Sequence, residues 1–118
     1  MSALSFEKLK IVSLQCALRW HPDGLAEWSV NDWLCAMGGE AGEALNEGKK
    51  HRRILSGMQQ AGDVPAGLKE AEARIMEELA DVVIYADLVA TRLGASLSDA
   101  IVAKFNAISE REGFPERL

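Results

Sequence analysis

Glu40 and Glu43, and again Glu78 and Asp81, stand three residues apart in stretches whose apolar residues recur with a helical period, so each pair shares one helix face. Like charges at that range repel by about 0.7 kcal/mol per pair even at the dielectric of water, and by more in a partly buried groove. Four carboxylates aimed at one place therefore call for a cation. Their oxygens are hard ligands, and no histidine or cysteine stands at ligand spacing among them, which suits Mg2+, with Mn2+ as the other candidate, rather than zinc. Magnesium shares its coordination with substrate phosphates, so a four-carboxylate cage predicts two or more ions gripping a polyphosphate. The chemistry of such a site is attack of an activated water on phosphorus while the ions neutralise the leaving group, with no covalent intermediate.

Helices must position these acids, and the breakers mark where the helices end. A first helix is predicted from about Ser5 to Trp20, with Phe6, Leu9, Val12 and Cys16 on one face, ending before the turn-forming His21, Pro22, Asp23 and Gly24. Ser29 with Asp32 forms a capping box that opens a second helix reaching about Arg53. Lys49, Lys50, His51, Arg52 and Arg53 complement the negative end of its dipole, as solvated charge or as phosphate contacts. Gly57, Gly62, Pro65 and Gly67 make residues 56–67 a mobile loop. A third helix, with Ile75, Leu79, Val82, Val83 and Ala86 on a broad apolar face, is predicted from about Leu68 to Leu93, where Gly94 supplies a cap. Ser96 with Asp99 forms a second capping box and opens a fourth helix carrying Ile101, Val102, Phe105 and Ile108, stopped by Gly113 and Pro115. With no strand candidate, the expected fold is an all-α bundle of four main helices forming one domain over residues 1–118.

In an antiparallel hairpin, residues equally far from the connecting loop meet. The first acidic pair lies about 10 residues before the loop and the second about 12 after it, a height mismatch of only about 3 Å, so the two pairs are expected to line one groove. Helix two also carries Gly38, Gly39 and Gly42, each costing up to about 1 kcal/mol relative to alanine. Close approach by another helix backbone, or by a substrate, is the expected compensation. Glu7, Glu70, Glu72, Glu110, Glu112 and Glu116 read as solvated acids. Glu47 either joins the site or pairs with Lys50 and His51, and Glu77 points about 100 degrees away from Glu78, with a fifth ligand or a base acting through water as its other reading.

Composition narrows the function classes. The 118 residues are 48% hydrophobic and 26% charged, with a net charge of -5, a balance that fits an ordinary globular protein and disfavours binding to a nucleic-acid polymer. No apolar run approaches the roughly 20 residues of a membrane span, and residues 1–10 lack a signal-peptide pattern, so the expected location is cytoplasmic. Cys16 and Cys35 sit in apolar helical stretches without a CxxC or a neighbouring histidine and are expected to be buried thiols.

The segment Gly39, Glu40, Ala41, Gly42, Glu43, Ala44, followed by Glu77, Glu78, Leu79, Ala80, Asp81, Val82, Val83, Ile84 and Tyr85, resembles the ExxE and ExxD signature of the MazG-like all-α nucleoside triphosphate pyrophosphohydrolases. With Lys104, Phe105, Asn106 and Arg111, the resemblance extends over residues 28–115. It implies the fold of that family and cleavage of nucleoside triphosphates between the α and β phosphates, with Mg2+ held by Glu40, Glu43, Glu78 and Asp81. It further implies that Lys104 and Asn106 contact phosphate or sugar, with Arg111 as a third candidate, and that the chain assembles as a homodimer or homotetramer. Removal of noncanonical or surplus nucleotides is the role it suggests. The interval between the acidic pairs is longer than is usual in the family, and the extra length falls in residues 56–67, implying an altered lid or subunit contact. Trp28 and Trp33, just upstream of the first pair, are the candidates for stacking a base.

Two rival readings stay open. One is an all-α deoxyuridine triphosphatase, separable by a nucleotide panel, and the other is a non-catalytic helical interaction module, which would show no stabilisation by magnesium. A di-iron carboxylate bundle falls behind both, because neither His21 nor His51 follows a glutamate by three residues.

Overall fold

The computed structural model describes residues 3–118. The chain is all-α: helices α1 (Phe6–Trp20), α2 (Val30–Leu55), α3 (Leu68–Arg92) and α4 (Leu97–Glu112), with a single 3-10 turn at Leu25–Glu27 and no strand among the described residues. The start of α1 is fixed by Ser5, whose hydroxyl accepts from the Lys8 N–H at 3.0 Å. Beyond α1, Glu27 secures the turn with both carboxylate oxygens, one bonded to His21 Nδ1 at 2.9 Å and the other accepting from the Asp23 N–H at 2.8 Å.

The ends of α2 and α3 have one cause. At Gly57 and Gly94 the backbone turns left-handed, with φ of 67° and 70°. The following residue then donates back into the helix, Met58 to the Arg53 carbonyl at 2.9 Å and Ala95 to the Ala90 carbonyl at 2.8 Å. A side chain at either glycine would meet its own carbonyl in this conformation, so glycine is what lets the helix stop there.

The chain divides into two compact units, one formed by the chain up to Val30 together with Ala86–Leu118, the other by Asn31–Tyr85. In the first, Ala17 of α1, Leu25 of the turn, and Leu88 and Val89 of α3 are the buried apolar residues. Lys10 donates to the Ala95 carbonyl at 3.3 Å and Arg92 Nε to the Trp28 carbonyl at 3.1 Å, tying α1 and the turn to the end of α3. In the second, α2 and the first part of α3 form a hairpin around Trp33, which is only 2% exposed and lies 6.4 Å from Tyr85 between ring centroids. Ala71 is fully buried in the same unit. Its connection, residues 56–67, has no regular structure but is fastened: Gln60 donates to the Lys50 carbonyl at 3.3 Å, Asp63 pairs with Arg74 at 3.3 Å, and Glu70 accepts from the Ala66 N–H.

The face of α1 carrying Phe6, Leu9, Val12 and Cys16 is largely exposed, Val12 at 50%, and Ala17 is the buried residue of that helix. Two expectations need correction. Cys16 and Cys35 are free thiols, as read, but both are exposed rather than buried. The physical reason is shared, since the apolar stripes on α1 and α2 are wider than the surface that each small unit covers. Nor does another helix of this chain approach Gly38, Gly39 or Gly42, because a Cβ built at each meets nothing within 4 Å. Among the described residues, no helix is long and apolar enough to cross a membrane.

Candidate metal centre

Both acidic pairs lie in the hairpin unit, with Glu40 and Glu43 one turn apart on α2 and Glu78 and Asp81 one turn apart on α3. The antiparallel register read from the loop distances brings them together. Glu40, Glu78 and Asp81 each present a carboxylate oxygen, all three within 4.8 Å of one another, and each residue is half-buried. Glu43 is exposed, but its charge is felt at Glu78.

The electrostatics of Glu78 register this crowding. Loss of surrounding solvent, then a hydrogen bond with Glu40, then the charges of Glu40, Asp81 and Glu43 push its carboxyl above the usual range. Crowding of this kind favours the protonated form of Glu78, and a divalent cation bound there would favour the ionised one. Three hard oxygens converging from two rigid helices, partly open to solvent, fit Mg2+ or Mn2+ with positions left for water and phosphate oxygens.

Glu47, one helical turn beyond Glu43, pairs with Lys50, Oε1 to Nζ at 3.2 Å, while its buried Oε2 has no partner. His51 lies 3.8 Å from Glu72 instead, an ion pair only when the imidazole is protonated. Glu77 is exposed. Arg74 holds both Glu70, at 3.4 Å, and Asp63, joining the start of α3 to the loop before it.

The substrate-binding candidates have other surroundings. The ring of Trp33 is enclosed in the hairpin unit against Tyr85, whereas Trp28 is partly exposed and meets His21 edge-on at 4.8 Å and 70°. Lys104, Asn106 and Arg111 belong to the other compact unit. Lys104 is exposed, and Arg111 pairs with Glu112 at 3.1 Å on an exposed stretch of α4. Asn106 uses both ends of its amide on the chain terminus, Oδ1 accepting from the Leu118 N–H at 2.9 Å and Nδ2 donating to the Leu118 carbonyl at 3.3 Å.

A buried acid escaped the sequence reading. Asp87 is 2% exposed, and its signal was there to find, as the single charged residue between Val82 and Ala90.

Compared with known proteins, the chain matches no family model and no curated relative.

Proposed function

We propose that the protein is a Mg2+-dependent nucleoside triphosphate pyrophosphohydrolase that cleaves between the α and β phosphates, releasing a nucleoside monophosphate and pyrophosphate. The observation that carries this reading is the convergence of Glu40 with Glu78 and Asp81 within 4.8 Å, in the register that the ExxE and ExxD spacing requires. A bound divalent cation would neutralise phosphate charge and lower the pKa of water beside it. Glu40, Glu78 and Asp81 hold that cation, and the exposed Glu43 adds its field and a further oxygen at the rim. Mounting the ligands on helices rather than on the connecting loop fixes their geometry before substrate arrives.

Lys104, Asn106 and Arg111 stay candidates for phosphate or sugar contacts in this reading, as the family resemblance implies. Trp28, with part of its ring exposed, offers the flatter access to a base, and Trp33 would need the hairpin to open around it. The active form is a homodimer or homotetramer: Trp20 is 83% exposed and Leu45 77%, apolar surface of the kind that association covers. Its place is the cytoplasm, where nucleotide pools need clearing of surplus or noncanonical members.

The test is incubation of the purified protein with separate canonical and modified nucleoside triphosphates and Mg2+, with Glu78→Gln as control. Monophosphate and pyrophosphate, lost in the control, are expected. Diphosphate and orthophosphate would replace the reading with a different phosphohydrolase, and no turnover with either Mg2+ or Mn2+ would favour a helical interaction module.

A further inference from the structure

The unit built from α1, the end of α3 and α4 holds a pocket of about 270 Å³. Asp87 reaches it from α3, Phe6, Glu7 and Lys10 line it from α1, and the first turn of α4 closes it with Ser98 and Asp99. None of the acids of the metal centre takes part.

Asp87 is the anomaly. It is 2% exposed, yet its Oδ2 is fully buried with no hydrogen-bond partner. Burial raises the pKa of its carboxyl, and Lys10 opposes this through charge alone. The Lys10 ammonium is committed elsewhere, donating to the Ala95 carbonyl. An apolar residue of similar size would avoid the desolvation that an unpaired carboxylate suffers here, so what is missing from Asp87 is a hydrogen-bond donor.

The surroundings decide what kind of donor. A divalent ion fits poorly, because among the described residues the gathering of three carboxylate oxygens within 4.8 Å occurs at Glu40, Glu78 and Asp81, not at Glu7, Asp87 and Asp99. An anion fits no better. The first turn of α4 would attract one, but Asp99 already sits there and its N–H is taken by the Ser96 hydroxyl at 3.2 Å. Three acids against one ammonium leave the lining acidic, which favours a cation. Phe6 adds an aromatic face against which a cation can rest. The volume falls just below the roughly 300 Å³ at which drug-sized sites begin, so the occupant is compact.

We propose that this pocket binds a small organic cation carrying N–H donors, an alkylammonium or alkylguanidinium group, with Asp87 accepting its hydrogen bond, Glu7 and Asp99 supplying charge at the rim and Phe6 an apolar wall. The site stands apart from the phosphohydrolase reading and survives its failure.

The probes are n-butylammonium, butylguanidinium and tetramethylammonium, the last carrying the same charge without an N–H. Each is titrated into the protein while backbone amide resonances are followed by NMR. The two N–H-bearing probes are expected to shift Lys10, Ser98 and Asp99 saturably, with half-saturation near about 1 mM, a weak affinity suited to one charged hydrogen bond in a small site. Asp87→Asn should weaken them at least about tenfold and tetramethylammonium should bind at least about tenfold more weakly, since both comparisons remove the charged hydrogen bond. Glu7→Gln, an exposed rim change that leaves the fold intact should Asp87→Asn disturb it, should weaken binding roughly two- to threefold and reduce its salt dependence. Shifts that fail to saturate, equal binding by tetramethylammonium, or unaltered binding in both variants would each overturn the site and leave the pocket to water.

Discussion

Glu40 on α2 and Glu78 on α3 present carboxylate oxygens within 4.8 Å of each other, across a hairpin whose loop separates them by more than thirty residues of sequence. The contact costs the metal-free protein stability at neutral pH, because one of the two must hold a proton or both must bear the repulsion. In the proposed reading a bound divalent cation offsets that cost.

The pH dependence follows in sign. Glu78 has its carboxyl raised in the folded chain above its ordinary value of 4.5. Its contribution to stability is therefore fully present below the unfolded pKa and is lost as pH rises through the higher folded one. Without metal, the melting temperature should fall with rising pH across that window, and Glu78→Gln should flatten the fall. Millimolar Mg2+ should raise the melting temperature above the window and release protons on binding, and Glu78→Gln should abolish most of the gain. Thermal melts with and without Mg2+, together with proton release measured in weakly buffered solution, check both halves; a Mg2+ response unchanged in Glu78→Gln would exclude the cluster as the ion's site.

The four acids should not be equivalent. Glu40, Glu78 and Asp81 share the tight cluster, while Glu43 is exposed and its charge is the smallest of the causes raising Glu78. Glu40→Gln and Asp81→Asn are expected to lower kcat on the order of 100-fold or more, and Glu43→Gln roughly tenfold, by the scale of substitutions in and around metal ligands. Steady-state kinetics over a Mg2+ titration resolve this, and a loss at Glu43 as large as that at Glu40 would place all four in direct contact with metal.

Which features could be read from the sequence depended on how local their causes are. The helix ends were legible because glycine at 94 and serine at 96 act within one turn, as the left-handed Gly94 and the Ser96 cap show. The meeting of Glu40 with Glu78 was legible because a hairpin converts loop distance into height. Burial was not, since periodicity marks an apolar stripe without stating its covered width, and Val12, Cys16 and Cys35 lie outside what each unit covers. Asp87 was missed for the same reason, because its burial comes from α1 and α4 packing around one position of α3. Asn106 was legible as polar but not as bonded to Leu118, a pairing set by how the chain returns after Gly113.

That pairing makes a prediction of its own. Asn106 bonds both backbone groups of Leu118, and Arg117 Nη1 donates to the Phe114 carbonyl at 2.7 Å and to the Glu116 carbonyl at 2.8 Å. Asn106→Ala removes the two bonds that hold Leu118 against α4, so trypsin should cut after Arg111 several-fold faster while the melting temperature moves little, since exposed hydrogen bonds of this kind contribute about 1 kcal/mol each at most. Time-resolved mass spectrometry of the digest reads it directly, and cleavage at an unaltered rate would mean the terminus is held by other contacts.

Trp33 tests the hairpin from inside. Its ring is the largest fully buried side chain and leans on Tyr85, the last residue of the hairpin unit. Truncation to alanine leaves a cavity between α2 and α3 and should cost about 3–5 kcal/mol, whereas Trp28→Ala, at a partly exposed ring, should cost well under half of that. Urea unfolding compares the two. If Trp33→Phe restores most of the stability but the nucleotide KM stays at the wild-type value, the ring at 33 supports the metal centre by packing. A KM that rises in Trp33→Phe without loss of stability would instead assign that ring to the base.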